Sequence, residues 1–111
     1  MYYIYILRCE DNSLYTGITT DIKRRFAEHK NKSSQSANYT KTHNVVSVEA
    51  LFSTDGRGDA LRLEYLIKKL NKRQKEEALN NANLIFDIYC EKLDKSKFKI
   101  IDANAISVLL K

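Results

Sequence analysis

Three patterns predict an α+β fold with a small three-stranded antiparallel sheet flanked by helices. Two short aromatic and β-branched runs are separated by a turn, a third such run lies downstream, and apolar stripes at helical spacing follow the second and third runs. The first run is Tyr2 to Leu7 and the second Ser13 to Thr19, with turn chemistry from Glu10-Asp11-Asn12 between them. So short a separation makes antiparallel pairing of a hairpin nearly obligatory and sets Tyr3-Ile4-Tyr5 beside Tyr15-Thr16-Gly17. Gly17 falls where the second strand is expected to end, a place suited to a bulge or to close approach of another backbone.

Thr19-Thr20-Asp21 offers an N-cap, and Ile22, Phe26 and His29 follow at i, i+4 and i+7, so a helix is expected from about Asp21 to Asn31. Lys23, Arg24 and Arg25 cannot all face one way on it, and one arginine can be aimed back at the hairpin. Residues 32–44 read as a long basic loop containing Tyr39 and His43, either a substrate-contacting segment or simply mobile. Val45 to Ser53 is the third strand, closed by Thr54-Asp55-Gly56-Arg57-Gly58. A second helix is expected from Asp59 to Leu70, with Ala60, Leu63, Leu66, Ile67 and Leu70 as its apolar stripe and Glu64 at the stripe's edge. Asn71 and Gln74 form a capping box for a third helix to about Asn81. Beyond it, Leu84 to Leu93 is apolar in helical register, Lys97 to Ile101 reads as a short strand and Ala103 to Leu110 as helix, a C-terminal extension whose arrangement the pattern leaves open.

The chain has 111 residues, which fits one domain with one core, divided here into residues 2–79 and an extension over 80–111. It shows neither a long apolar stretch nor a signal-peptide pattern, so a cytoplasmic protein with no membrane partner is expected. Cys9 and Cys90 match no metal-ligand spacing and read as free buried thiols. The formal net charge is +5, and it is uneven: residues 1–75 carry 14 Lys+Arg against 8 Asp+Glu, and residues 76–111 carry 5 against 6. The excess shares its part of the chain with the tyrosine motifs, as expected if that part meets phosphate backbone. A solvated basic face is the plainer alternative.

Two tyrosines on paired strands, an arginine and a histidine on the next helix, and a carboxylate on a later one suit the grip and cleavage of a phosphodiester. Together Tyr3-Ile4-Tyr5, Tyr15-Thr16-Gly17, Arg25, His29 and Glu64 resemble the motifs of the GIY-YIG nuclease superfamily, over roughly Tyr2 to Leu79. The likeness is strongest to its small stand-alone branch, through Tyr15-Thr16-Gly17-Ile18-Thr19-Thr20-Asp21, Arg24-Arg25, Glu28-His29 and Glu64-Tyr65-x-Ile67-Lys68-Lys69-Leu70. Tyr3 replaces the first glycine of the name-giving motif and Thr16 its central isoleucine, and neither change removes a catalytic side chain.

The resemblance implies hydrolysis of nucleic acid, DNA ahead of RNA, with one divalent cation, Mg²⁺ or Mn²⁺, and 5′-phosphate and 3′-hydroxyl ends. Tyr5, Tyr15, Arg25, His29 and Glu64 become the catalytic set, Glu64 the metal ligand, and Gly17, Arg24, Lys68 and Lys69 nucleic-acid contacts. A hard cation on one carboxylate keeps most of its waters and takes further oxygens from substrate phosphate. Arg25 suits a phosphate oxygen. A phenol with a pKa of about 10 is ionised about once in a thousand at pH 7, so a tyrosine base needs a depressed pKa, which Arg25 and the metal are expected to supply. Tyr5 is then the base or water-orienting group and Tyr15 its neighbour on water or phosphate, or the reverse, while His29 relays a proton or binds phosphate. A protein partner or self-association would raise the affinity of so small a nuclease. The rival readings are a nucleic-acid-binding module of the same fold that cleaves little, and an interaction domain whose basic face is incidental.

Overall fold

The computed structural model describes residues 1–32, 39 and 42–111. Its first three strands are β1 (Tyr2–Cys9), β2 (Leu14–Thr19) and β3 (Val45–Thr54), with helix α1 (Ile22–Lys30) between the last two. Helices α2 (Arg57–Lys69), α3 (Lys72–Asn80) and α4 (Asn83–Ile88) follow, then a 3-10 turn at Lys95–Lys97, strand β4 (Lys99–Ile101) and helix α5 (Ala103–Leu109).

The sheet has four antiparallel strands in the order β2-β1-β3-β4, not the expected three. The fourth is the tripeptide Lys99-Ile100-Ile101, which pairs with Ser53, Phe52 and Leu51. Residues 80–111 therefore do not stand apart as an extension: they supply an edge strand, and Ile85, Phe86, Leu93 and Ile106 are buried in the two apolar clusters. The apolar run from Leu84 to Leu93 is helical only to Ile88, where Tyr89 leaves helical geometry and its hydroxyl donates to the Leu66 carbonyl at 2.9 Å. Cys9 is buried, but Cys90 is exposed because it lies in the turn after α4 rather than on a helix facing the core. Most of the loop at 32–44 lies outside the described residues; Tyr39, Thr42 and His43 are within them. No helix among the described residues is long and apolar enough to cross a membrane.

Strand alternation sorts β1 onto two faces. Ile4 and Ile6 pack with Ala60, Leu63, Leu66 and Ile67 of α2. Tyr5, Leu7 and Cys9 point the other way, with Ile22 and Phe26 of α1 and with Ile106 of α5. The hairpin closes through Asn12 at φ 69°, a left-handed conformation asparagine tolerates, while the Asp11 carboxylate accepts from the Ser13 N–H at 3.1 Å and its hydroxyl at 2.6 Å. Asp21 caps α1 by accepting from the Arg24 N–H at 3.1 Å, and the Asn71–Gln74 capping box is formed at α3.

One polar cluster ties the hairpin to α3. Arg8 donates to both Glu76 carboxylate oxygens, at 2.6 and 2.7 Å, and to Glu49 at 3.3 Å, while Lys72 reaches Glu76 at 3.1 Å and the Asn12 carbonyl. The paired guanidinium draws the Glu76 carboxyl down to about 2. Arg8→Ala should lower stability by about 1–2 kcal/mol, since a bidentate, half-buried pair is worth more than an exposed one. Urea unfolding measures this, and Arg73→Ala, whose bridge to Glu77 is largely exposed, should change little in the same experiment.

Candidate active site

Tyr5 and Gly17 are direct partners across the β1–β2 ladder. The Tyr5 ring lies over the glycine so closely that a Cβ at position 17 would stand 2.3 Å from the Tyr5 phenol oxygen. Gly17 sits inside β2, not at its end, and its φ is not positive. What the position requires is absence of a side chain, and the space is used by Tyr5 itself. Tyr15, two residues away on the same strand, brings its ring to 6.4 Å from that of Tyr5.

Helix α1 delivers the other two groups one turn apart. Burial of Ile22 and His29 sets the helix's rotation, and Arg25, half-buried, points back at the hairpin. Its guanidinium hydrogen-bonds the Tyr5 phenol and holds Glu28 at 3.2 Å. His29 Nε2 lies 2.9 Å from the Tyr5 oxygen, with both groups buried. Arginine can only donate, so the Tyr5 oxygen is the acceptor toward Arg25. The histidine is neutral at neutral pH, since burial holds its proton affinity low.

Burial sets the acidity of the pair. It pushes the Tyr5 phenol up to about 12, outweighing the Arg25 hydrogen bond, with the Tyr15 and Glu64 charges adding to the rise. It pushes His29 down to about 4, with the positive Arg25 contributing. The expected depression of the Tyr5 pKa by Arg25 is therefore reversed in the free protein, because desolvation of a phenolate costs more than one cation returns. Tyr15 is the complementary case: half-exposed, with no side-chain hydrogen bond among the described residues. Its ring is 5.6 Å from His29 and stacks on Tyr39 at 5.5 Å, and Tyr39 stacks on His43 at 3.9 Å. No sequence spacing signalled that Tyr39 would lie against Tyr15.

Glu64 comes from the opposite face. Its helix α2 packs on the Ile4 and Ile6 side and touches β2 and β1, so the candidate site is not confined to the α1 face of the sheet. The carboxylate stands near enough for its charge to act on Tyr5, has 16 % of its side chain exposed, and pairs with Lys68 at 3.3 Å. The described residues contain no group of three or more His, Cys, Asp or Glu able to hold a metal. A single carboxylate, oxygen-only and partly open, fits a hard cation that keeps its waters and shares substrate oxygens. Arg24, Lys68 and Lys69 are all exposed.

The family model of the GIY-YIG catalytic domain matches residues 1–77. The chain belongs to the GIY-YIG family. It is 45 % identical over 101 residues to a UPF0213 protein of Fusobacterium nucleatum, covering 90 % of this chain and 97 % of that one. It is 41 % identical over 76 residues to a UPF0213 protein of Halobacterium salinarum, covering 68 % and 96 %. The solution NMR structure of a UPF0213 protein from Bacillus halodurans matches with a TM-score of 0.44 and 29 % identity, over 85 % of this chain and all of that one. GIY-YIG domains are nuclease domains acting on nucleic acid, generally with a divalent metal. The names of these relatives state no particular activity or substrate.

Two outcomes follow from the geometry. Gly17→Ala should destabilise the protein by roughly 1–3 kcal/mol by forcing the Tyr5 ring aside, and the same change made in a Tyr5→Ala background should cost far less. A double-mutant cycle by urea unfolding measures the coupling. For His29, the folded value of about 4 lies below the ordinary 6.5, so the unfolded chain binds the extra proton between these pH values. Stability is held above pH 6.5 and lost as pH falls toward 4, by on the order of 3 kcal/mol. The Glu76 contribution is lost only below its ordinary 4.5, so unfolding between pH 6.5 and 4.5 isolates the histidine, and His29→Gln should flatten that interval.

Proposed function

We propose that the chain is a metal-dependent endonuclease hydrolysing DNA phosphodiester bonds to 5′-phosphate and 3′-hydroxyl ends. The observation that carries this reading is the set Arg25, Tyr5 and His29 beside the phenol of Tyr15, which has no hydrogen bond among the described residues, with the Glu64 charge acting on Tyr5. Tyr15 presents its oxygen to a water or a phosphate oxygen. Arg25 has a fork of five donors and holds Tyr5 and a phosphate oxygen together, where it stabilises the charge that develops during attack. Glu64 would hold Mg²⁺ or Mn²⁺, which when bound neutralises phosphate charge and acidifies a water. Gly17 serves this site by seating Tyr5, and Arg24, Lys68 and Lys69 serve it as backbone contacts.

Proton transfer is governed by His29. Part of its low proton affinity comes from the positive Arg25, and a phosphate held by Arg25 offsets that charge. Substrate binding thus raises the proton affinity of His29, while the attacking water meets Tyr15, because the Tyr5 oxygen is buried.

Labelled single-stranded, duplex and branched DNA incubated with purified protein and Mg²⁺ or Mn²⁺ tests the reading. Cleavage is expected, with Arg25→Ala and Glu64→Gln each lowering the rate about 10²–10³-fold. Tyr5→Phe keeps the ring over Gly17 but removes the hydroxyl that His29 and Arg25 meet, and its rate is expected to fall by about 10²-fold or more. Cutting unchanged in all three variants would identify a contaminating nuclease and defeat the proposal. Binding without cutting under every metal condition would instead assign a nucleic-acid-binding module.

A further inference from the structure

Helix α2 buries Ala60, Leu63, Leu66 and Ile67 and turns a different set outward. Arg57, Leu61, Arg62, Tyr65, Lys68 and Lys69 are all exposed. At 100° per residue, the outward arc begins at Glu64, passes Arg57 and Lys68, has Leu61 and Tyr65 at its middle, and ends at Lys69 and Arg62. The arc therefore carries four cations, and its one carboxylate is the proposed metal ligand at its border. The helix's other acid, Asp59, lies toward the buried side, with Lys97 at 4.0 Å.

Tyr65 is the anomaly on this face. It leaves 58 % of its surface in solvent, although its neighbours Leu63, Leu66 and Ile67 show that the same helix buries apolar groups readily. The Lys69 ammonium lies over its ring, 4.8 Å from the centroid. Lys92, from the turn after α4, adds a second positive charge, and together the two lysines lower the phenol's pKa. An exposed ring among converging cations is poorly matched to an apolar or basic protein partner. It is well matched to a ligand that is both aromatic and anionic, since bases stack on such rings while phosphates meet the lysines and arginines.

We propose that the outward face of α2 is a track for single-stranded DNA, in which Tyr65 stacks an unpaired base and Arg62, Lys68 and Lys69 meet the flanking phosphates, leading the strand to Glu64. A duplex keeps its bases stacked on one another and offers no face to Tyr65, so the track selects unpaired strand next to the cut. This rests on the nuclease reading above and names the substrate class for that site.

The test is binding without cleavage. Fluorescence anisotropy in EDTA is followed with an oligodeoxythymidylate of about 12 nucleotides, within the span of common single-strand sites, with an abasic strand of equal length, and with a duplex. Tyr65→Ala should weaken the oligodeoxythymidylate complex roughly tenfold (about 1.4 kcal/mol) and leave the abasic and duplex complexes unchanged. Tyr65→Trp should hold or tighten it. Tyr65 is exposed, so circular dichroism should show both variants folded. An unchanged affinity for Tyr65→Ala, equal losses on the abasic strand, or no binding by the parent protein would each overturn the track. So would a change in oligomeric state by light scattering with strand affinity unaltered, which would assign the face to self-association. Cleavage judged separately, as above, can stand while the track falls, and the reverse.

Discussion

The site is organised by the need to satisfy one buried hydroxyl. Tyr5 occupies a position of β1 that faces inward, and its ring fills the space over Gly17. A phenol oxygen sealed there without partners would cost about 1–3 kcal/mol, so α1 must turn two polar groups toward it. Arg25 and His29, one helical turn apart, are those groups, and inward placement of Ile22 on the same helix sets the rotation that brings them there. The same constraint explains why a neutral histidine can be fully buried in a basic protein: its Nε2 shares a hydrogen bond with the buried phenol.

Two faces of the sheet contribute, and that makes their relative placement a matter of packing rather than of local sequence. Glu64 belongs to a helix seated on Ile4 and Ile6, whereas Tyr5 between them points to the other side. Any shift of α2 along β1 and β2 moves the carboxylate relative to the tyrosine. The Arg8 cluster bears on this, because it fixes α3, the direct continuation of α2, to the hairpin turn and to β3 through Glu76, Glu49 and Asn12. Charges outside the site thus hold the register in which its two halves meet.

Much of this was legible in the chain because it depends on periodicity. The hairpin, the cap at Asp21, the stripe from Ala60 to Leu70 and the Asn71–Gln74 box are local patterns, and each appears within two residues of where the pattern placed it. The fourth strand was not legible as part of the sheet: three residues carry little periodic signal, and their pairing with Leu51 to Ser53 spans nearly fifty residues. The motif tyrosines, Arg25 and His29 were readable as a group, but the sense of their pKa shifts was not. Spacing places Arg25 near Tyr5, and a cation near a phenol suggests easier ionisation. It does not disclose that Tyr5 is buried, and burial reverses the sign. The contact of Tyr39 with Tyr15 is likewise a tertiary fact with no spacing to announce it.

Desolvation also divides labour between the two tyrosines. It raises Tyr5 and lowers His29 together, so both stay neutral in the free protein. Of the causes, burial is fixed by the fold, but the Arg25 charge on His29 can be offset by a bound anion. In the proposed mechanism the pair is held inactive by the protein's own interior and relieved by a ligand that reaches Arg25. Tyr15, half-exposed and not hydrogen-bonded among the described residues, is in that mechanism the phenol such a ligand meets. A site with both tyrosines exposed would lack that dependence on phosphate, and one with both buried would have nothing to touch it. In the proposed mechanism the asymmetry between a seated and a half-exposed tyrosine, created by the missing side chain at Gly17, therefore ties proton transfer to the arrival of a phosphate.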